Sequence, residues 1–441
     1  MRPGARLQAA IDILTEMQDG GRPAAEAVQG WARAHRFAGS KDRAEIAAIV
    51  FSVSRRRAEL AWHMNEDTPR ALALAERVLN SGIEVETLAA LCTGEAYDAA
   101  PLSETERAAL ARPQAEDVPE HVRANVPEWV LPLIAGTPEG REAELRALNE
   151  RAPVDLRVNT LKIEPGRAHE RLAEAVAPVT VERGTWSPWA LRLPAPAEGR
   201  AGVNLRALDL YRTGRIELQD EGSQLAALLT GARAGWQVVD LCAGAGGKTL
   251  ALAQMMDNTG QIFACDVDRA RLGEARRRLQ RAGVRNVQTR LLTGEGPELA
   301  DLEGRMDLVL LDVPCSGSGA WRRQPDARWR LTRERFGERL KLQRELLDRG
   351  SSLVAPGGRL AYVTCSLLEP ENGAQIRAFL GRNPKFTPIP SNDLWLAGIG
   401  RPVPEACTGT RDVGSYLSPV RTGTDGFYVS VLSCGEMDGE A

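Results

Sequence analysis

Asp240-Leu-Cys-Ala-Gly-Ala-Gly-Gly-Lys-Thr249 decides the fold of this chain. An apolar run, Gln237–Cys242, leads into it, and a helical pattern, Lys248–Met256, leads out. Glycines let backbone approach a ligand closely, and the first turn of the following helix adds a positive dipole. Single residues exclude two nucleotide-binding patterns. A Walker A loop requires glycine five residues before Gly247, where Cys242 stands. A dinucleotide fingerprint requires a third glycine at 249, where Thr249 stands. What remains is an acid, three residues, and Gly-x-Gly after a first strand.

That remainder resembles the adenosylmethionine loop of Rossmann-type methyltransferases; a tight strand–helix turn is the plainer alternative. The surroundings favour a Rossmann-like α/β fold. Strands are expected at Gln261–Asp266, Val287–Leu292, Asp307–Asp312, Arg359–Thr364 and Phe427–Leu432. Helices are expected at Arg269–Ala282, Arg333–Val354 and Asn372–Leu380. The alternation means a largely parallel sheet covered on both faces, with ligands at the carboxyl ends of the strands. Asp266 ends the second strand, where a carboxylate can accept both hydroxyls of a ribose. Asp268, two positions on, is the competing choice.

Two later strands end in a cysteine: Asp312-Val-Pro-Cys315-Ser-Gly317 and Tyr362-Val-Thr-Cys365-Ser366. A free cysteine is usually a small buried hydrophobe, and Cys92, Cys265, Cys407 and Cys434 are read that way. Two thiols and the Asp312 carboxyl at strand ends beside a cofactor loop suit a harder reaction. Carbon 5 of cytosine is a poor nucleophile. A thiolate adding to carbon 6 turns it into an enamine carbon that can attack a methyl sulfonium. Charge building at N3 calls for a hydrogen-bonding group such as Asp312. A second thiol can assist when the first is expelled.

These residues sit within a set of segments that resembles the Sun/Fmu-type 16S ribosomal RNA cytosine-5 methyltransferases, part of the RNA cytosine-5 methyltransferase superfamily. The set includes Leu156-Arg-Val-Asn-Thr-Leu-Lys162, Gln219-Asp-Glu-Gly-Ser-Gln224, the Asp240–Thr249 loop, Asp312–Gly317 and Arg322-Arg-Gln-Pro-Asp326 followed by Trp329. Thr364-Cys-Ser366, Glu369-Pro-Glu-Asn372 and Thr424-Asp-Gly-Phe427 complete it. The resemblance implies that Cys365 is the nucleophile and that Cys315 assists product release. It implies that Asp312 faces both cytosine and cofactor. It assigns S-adenosyl-L-methionine to Cys242, Ala243, Gly244, Ala245, Gly246, Gly247, Lys248, Asp266 and Asp312, with no metal. Two departures stand out. Gly244-Ala245 replaces the family's Ala-Pro, and the acid expected after the third strand is missing from Leu291-Leu-Thr-Gly-Glu295, where Thr293 or Glu295 could stand in.

The resemblance also divides the chain into an all-α NusB-like RNA-binding domain (1–135), a small α+β RNA-recognition-motif-like extension (136–232) and the methyltransferase domain (233–435). Residues 1–135 agree in pattern. Leu7, Ala10, Ile11, Leu14 and Met17 share one helix face, and Ser40 is a candidate N-cap for a second helix carrying Ile46, Ile49, Val50, Val53 and Leu60.

Charge over the 441 residues nearly cancels, 56 Lys+Arg against 59 Asp+Glu. A nucleic-acid-binding domain is often strongly basic, so the total argues against such a partner, but the blocks argue otherwise. Residues 1–57 carry ten basic and six acidic residues, residues 58–150 seven and eighteen, and residues 313–349 ten and five. The last block interleaves Trp321 and Trp329 with Arg322, Arg323 and Arg328, a composition suited to RNA phosphates and bases. Arg55, Arg56 and Arg57 are either a solvated helix end or a second phosphate contact. The seven cysteines contain no Cys-x-x-Cys pair, which leaves a disulfide framework or zinc knuckle without support. No run of about 18 apolar residues spans a membrane. No secretory signal is visible, so a reducing cytoplasm is expected. The partner expected is RNA, foremost 16S rRNA, with transfer RNA as the alternative substrate. A non-catalytic RNA-binding assembly factor is the alternative class.

Overall fold

The structure, a computed structural model, describes residues 1–113, 117–136, 138–196, 202–294, 298–408 and 413–435. The chain forms two compact units. One comprises Met1–Arg151, Pro196–Gly202 and Trp321–Thr332; the other comprises Ala152–Ala195, Val203–Ala320 and Arg333–Ala441.

The first unit is helical, as its periodicity requires. Pro3–Gly20 opens with proline in its first turn and closes on Gly21 in the left-handed conformation, a standard helix stop. The second expected helix is Ser40–Met64, but Ser40 lies inside it. Gly39 is the N-cap, and Asp42 accepts the Gly39 N–H at 3.1 Å. Leu7, Ile13, Ile46, Ile49, Val53, Leu60 and Leu74 form the core, each less than a tenth exposed. Burying such side chains contributes about 1.5–3 kcal/mol each. Helix Pro138–Asn149 and the excursion Trp321–Thr332 also belong to this unit, although the division implied by the resemblance puts them in the segments 136–232 and 233–435.

The second unit holds two sheets. The smaller comprises β1 (Val154–Val158), β2 (Glu182–Arg183), β3 (Ala190–Leu193) and β4 (Ile216–Leu218), in the order β2-β3-β1-β4 and antiparallel throughout. Helix Pro165–Val176 buries Ala168 and Leu172 in a core with Leu156, Leu191 and Ile216. Arg157, fully buried, donates to Gln219 at 2.7 Å and to Gln254. That contact joins the segments Leu156–Lys162 and Gln219–Gln224. They are one packed unit brought against the larger sheet.

The larger sheet comprises β5 (Gln237–Asp240), β6 (Gln261–Asp266), β7 (Val287–Leu291), β8 (Met306–Asp312), β9 (Val354–Thr364), β10 (Phe386–Pro388), β11 (Ser415–Leu417) and β12 (Phe427–Cys434). Its order is β10-β12-β9-β8-β5-β6-β7, with β11 paired to β12. β7, β6, β5, β8 and β9 are parallel; β10, β11 and β12 are antiparallel additions. Leu308–Leu311 and Leu360–Val363 are buried without interruption, as strands covered on both faces must be. The Rossmann-like α/β fold expected from the loop is thus present. The chain leaves β5 towards β6 on one side and meets β8 on the other. The crevice over the carboxyl ends therefore opens at β5 and β8.

Candidate active site

The chain turns from β5 into helix Gly247–Met255 through Leu241–Gly246. Gly246 caps that helix at φ 79°, in the left-handed region where a side chain is strained. Asp240 is sealed under the turn. One carboxylate oxygen accepts the Thr249 hydroxyl at 2.7 Å; the other has no donor among the described residues. Burial pushes its carboxyl up to about 7. Burial and the carboxylates of Asp240, Asp312 and Asp266 push the Cys242 thiol well up, so it stays protonated.

Asp266 accepts the N–H of Gly244 at 2.7 Å and of Asp268 at 2.8 Å. Asp268 acts elsewhere. It caps helix Arg269–Ala282, accepting from Ala270 at 2.8 Å and Arg271 at 3.1 Å. The choice that sequence leaves open is therefore separated by geometry. Asp266 is the carboxylate tied to the glycine turn. Thr293 donates its hydroxyl to Glu298 at 2.7 Å, and Glu295 lies outside the described residues. Lys248 pairs with Asp312 at 2.8 Å, its ammonium 5.0 Å from the Phe427 ring centre. The side chains present fit S-adenosylmethionine: the Asp266 carboxylate, tied to the glycine turn, has lone pairs that can accept ribose hydroxyls.

β8 and β9 are parallel neighbours, with Asp312 opposite Val363. Each continues into a cysteine loop, and the register brings the two sulfurs to 3.3 Å. Both thiols are half-buried. Contact with Cys365, then burial, raises the Cys315 thiol well above its ordinary range, so Cys315 keeps its proton. The loops are braced from several sides. Gly319 donates its N–H to the Cys365 carbonyl at 3.0 Å, and its own carbonyl accepts from Gly426 at 2.8 Å. A Cβ on Gly319 would overlap the Gly426 carbonyl, so only glycine fits. Asn372 accepts the Thr364 hydroxyl at 2.6 Å and donates to the Ser366 carbonyl at 2.9 Å, gripping Cys365 from both sides. Asp220 accepts the Asp425 N–H at 3.1 Å, joining the Gln219–Gln224 and Thr424–Phe427 segments. Sequence pattern marks Glu369–Asn372 as distinctive but assigns it no role. The buried side chains of Glu371 and Asn372 are what it misses.

Two of the three arginines expected at RNA, Arg322 and Arg328, are buried. Arg328 is fully buried in the first unit, and this corrects the expectation of a phosphate contact. A guanidinium without exposed surface cannot meet solvent-borne phosphate. It donates to the Asn125 carbonyl at 2.9 Å, Asn149 at 2.5 Å and the Leu148 carbonyl at 3.2 Å, and lies over the buried Trp321 ring. Burial lowers its pKa to about 9. Arg322 is 6% exposed and its carbonyl accepts from Arg55 at 3.2 Å; Arg323 is half-buried. Arg56 and Arg57 pair with Glu59 and Asp67. Trp329 donates its indole N–H to the Ser54 carbonyl at 2.7 Å. The segment's polar residues thus anchor the excursion within the helical unit. Arg328→Met should lower stability by about 1–3 kcal/mol for each carbonyl or amide left unpaired. It should leave the salt dependence of RNA binding unchanged, where a phosphate contact would lower the slope by about 0.7–1. Thermal unfolding and a salt titration check the two halves.

No group of three or more metal-ligating side chains, and no helix long and apolar enough to cross a membrane, is present among the described residues.

Comparison with known proteins agrees with this geometry. The family model for 16S rRNA methyltransferase RsmB/F matches residues 227–433, and that for the RsmF/B-like ferredoxin-like domain matches residues 126–198. Ribosomal RNA small subunit methyltransferase B of Citrobacter koseri is 32% identical over 394 residues, covering 82% of this chain and 86% of that protein. The protein of the same name from Cronobacter sakazakii is 30% identical over 421 residues, covering 89% and 90%. The crystal structure of PH0851 superposes with a TM-score of 0.76 at 25% identity, covering 98% of this chain and 99% of that one. With the glycine turn, strand order and paired cysteines in place, the chain belongs to the RsmB/F family of S-adenosylmethionine-dependent 16S rRNA methyltransferases.

Proposed function

We propose that this protein methylates carbon 5 of a cytosine in 16S ribosomal RNA through a covalent Cys365–cytosine adduct. The observation that carries the reading is the pair of sulfurs 3.3 Å apart at the ends of β8 and β9, beside the glycine turn. S-adenosylmethionine supplies an electrophilic methyl group when bound by the turn and Asp266. Cys365, as thiolate, adds to carbon 6 and makes carbon 5 nucleophilic. Lys248, held by Asp312, brings a positive charge to where negative charge builds at N3, and the Asp312 carboxylate is an acceptor for the cytosine amino group. After methylation the carbon 5 proton leaves and the carbon 6–sulfur bond breaks. Cys315 gives its proton to the departing sulfur and is re-protonated from carbon 5. The target cytosine must leave its stack to be reached from both faces. Arg323 is kept as a candidate RNA contact, and the reading carries a cytoplasmic location with it.

Bisulfite sequencing of total RNA from cells with and without the gene tests this reading. One or a few 16S cytosines should lose their protection in the deletion. Loss confined to transfer RNA would move the substrate, and no loss anywhere would sink the cytosine-5 reading.

A further inference from the structure

The two cysteine loops are separate in sequence, yet their sulfurs must act on adjacent atoms of one pyrimidine. The Glu371 side chain spans them. Glu371 lies in the short turn Glu369–Glu371 after β9 and has no exposed surface. One of its oxygens accepts the Ser316 N–H at 2.8 Å and the Gln343 amide at 3.1 Å. The other accepts the Ser316 hydroxyl at 2.5 Å and the Ser366 hydroxyl at 2.6 Å. Ser316 follows Cys315 and Ser366 follows Cys365. The two hydroxyl oxygens are themselves 3.1 Å apart. Gln343 also donates to the Pro314 carbonyl at 3.0 Å, next to Cys315. The Tyr362 hydroxyl donates to the Glu371 carbonyl at 2.7 Å, fixing the turn on β9.

We propose that Glu371 is a positioning residue that locks Cys315 against Cys365 through Ser316 and Ser366, and thereby sets the rate of product release. The inference rests on the covalent reading above and adds a residue that touches neither substrate nor cofactor. A buried carboxylate is costly unless its oxygens are satisfied. Here four donors meet it, and three belong to the serines that follow the two cysteines. An apolar side chain could fill the same space, but it would not fix the direction of either loop. An ionised carboxylate is acceptor-only and suits all four donors. Glu371→Gln keeps the shape and turns one oxygen into an NH2 group. Placed against the two serine hydroxyls, that group makes both turn to accept, and the charge-assisted bonds to the two loops become weaker neutral ones. A displacement of about 1 Å at reacting groups can cost on the order of 100-fold in rate.

Two measurements on the full chain test the lock. The first uses no RNA. Phenylarsine oxide joins two close thiols through two As–S bonds, releasing water. The wild type should bind one equivalent, Cys315→Ala should lose that binding, and Glu371→Gln should bind about 10-fold or more weakly, by analogy with the loss expected for displaced groups. The second is a single-turnover reaction with RNA and S-adenosylmethionine, read on a denaturing gel. Glu371→Gln should accumulate the protein–RNA adduct although Cys315 is intact, with KM for S-adenosylmethionine within about twofold, since no contact to the glycine turn is touched. Ser316→Ala should reproduce the accumulation, while Ser366→Ala should slow adduct formation instead. Unchanged arsenical affinity in Glu371→Gln, or activity that falls only in proportion to folded protein with no adduct, overturns the inference. If Cys315→Ala itself traps no adduct, the covalent reading fails, and the arsenical titration still decides whether Glu371 sets the thiol pair.

Discussion

Cys365→Ala should abolish methyl transfer: in a single-turnover assay with RNA and S-adenosylmethionine, the rate should fall by roughly 10⁴-fold or more, the scale on which enzymes lose activity with their nucleophile. The argument is chemical before it is geometric. Without addition at carbon 6, carbon 5 of cytosine is too weak a nucleophile, and positioning alone does not make it an enamine. The proposed nucleophile is the sulfur at the end of β9. Cys365 follows the last residue of β9 and is held on both sides by Asn372. Contact with Cys365 and burial raise the Cys315 thiol, which suits the proton-holding role proposed for it. The fold should tolerate the change, because the backbone contacts at Cys365 do not use the thiol. Folding is checked by thermal unfolding. Activity within about tenfold of wild type would remove Cys365 from the nucleophile's place.

Cys315→Ala separates the second half of the reaction from the first. Methylation of carbon 5 should still occur once, but release should stall, so a covalent protein–RNA species survives on a denaturing gel. Multiple-turnover activity should fall by roughly 10²–10⁴-fold, the usual worth of a positioned acid–base group. The expectation comes from the sulfur pair. A group within reach of the Cys365 sulfur can return its proton, and the Cys315 sulfur lies 3.3 Å away. The double variant Cys315→Ala with Cys365→Ala should form no adduct. Trapping by Cys365→Ala alone would exchange the two roles.

Local pattern carries much of this far. Apolar runs at β5, β6, β8 and β9, separated by helical stretches, are readable because strand and helix periods are short-range properties. Helix Arg269–Ala282 is bounded correctly because Asp268 and Gly283 are strong cap residues. The short strands β2, β10 and β11 are not readable, since two or three residues carry no period. The arginine–tryptophan block misleads for a related reason. Composition marks a segment as able to meet phosphates, but burial decides whether it does. Arg328 finds its acceptors near residues 125 and 148, almost two hundred positions away.

The sequence by itself determined the strand–helix order, the glycine turn, the acids at strand ends and the presence of two candidate sulfurs. All are properties of residues within a few positions of one another. Only the tertiary structure decided that Lys248 neutralises Asp312, that Asp266 rather than Asp268 holds the turn, that Arg328 anchors a helical unit, and that Glu371 ties both cysteine loops. Each of these depends on which strands are neighbours or which distant segment supplies a partner. Hydrogen bonds and ion pairs act over about 3 Å, so no spacing along the chain reports them until the fold brings their ends together.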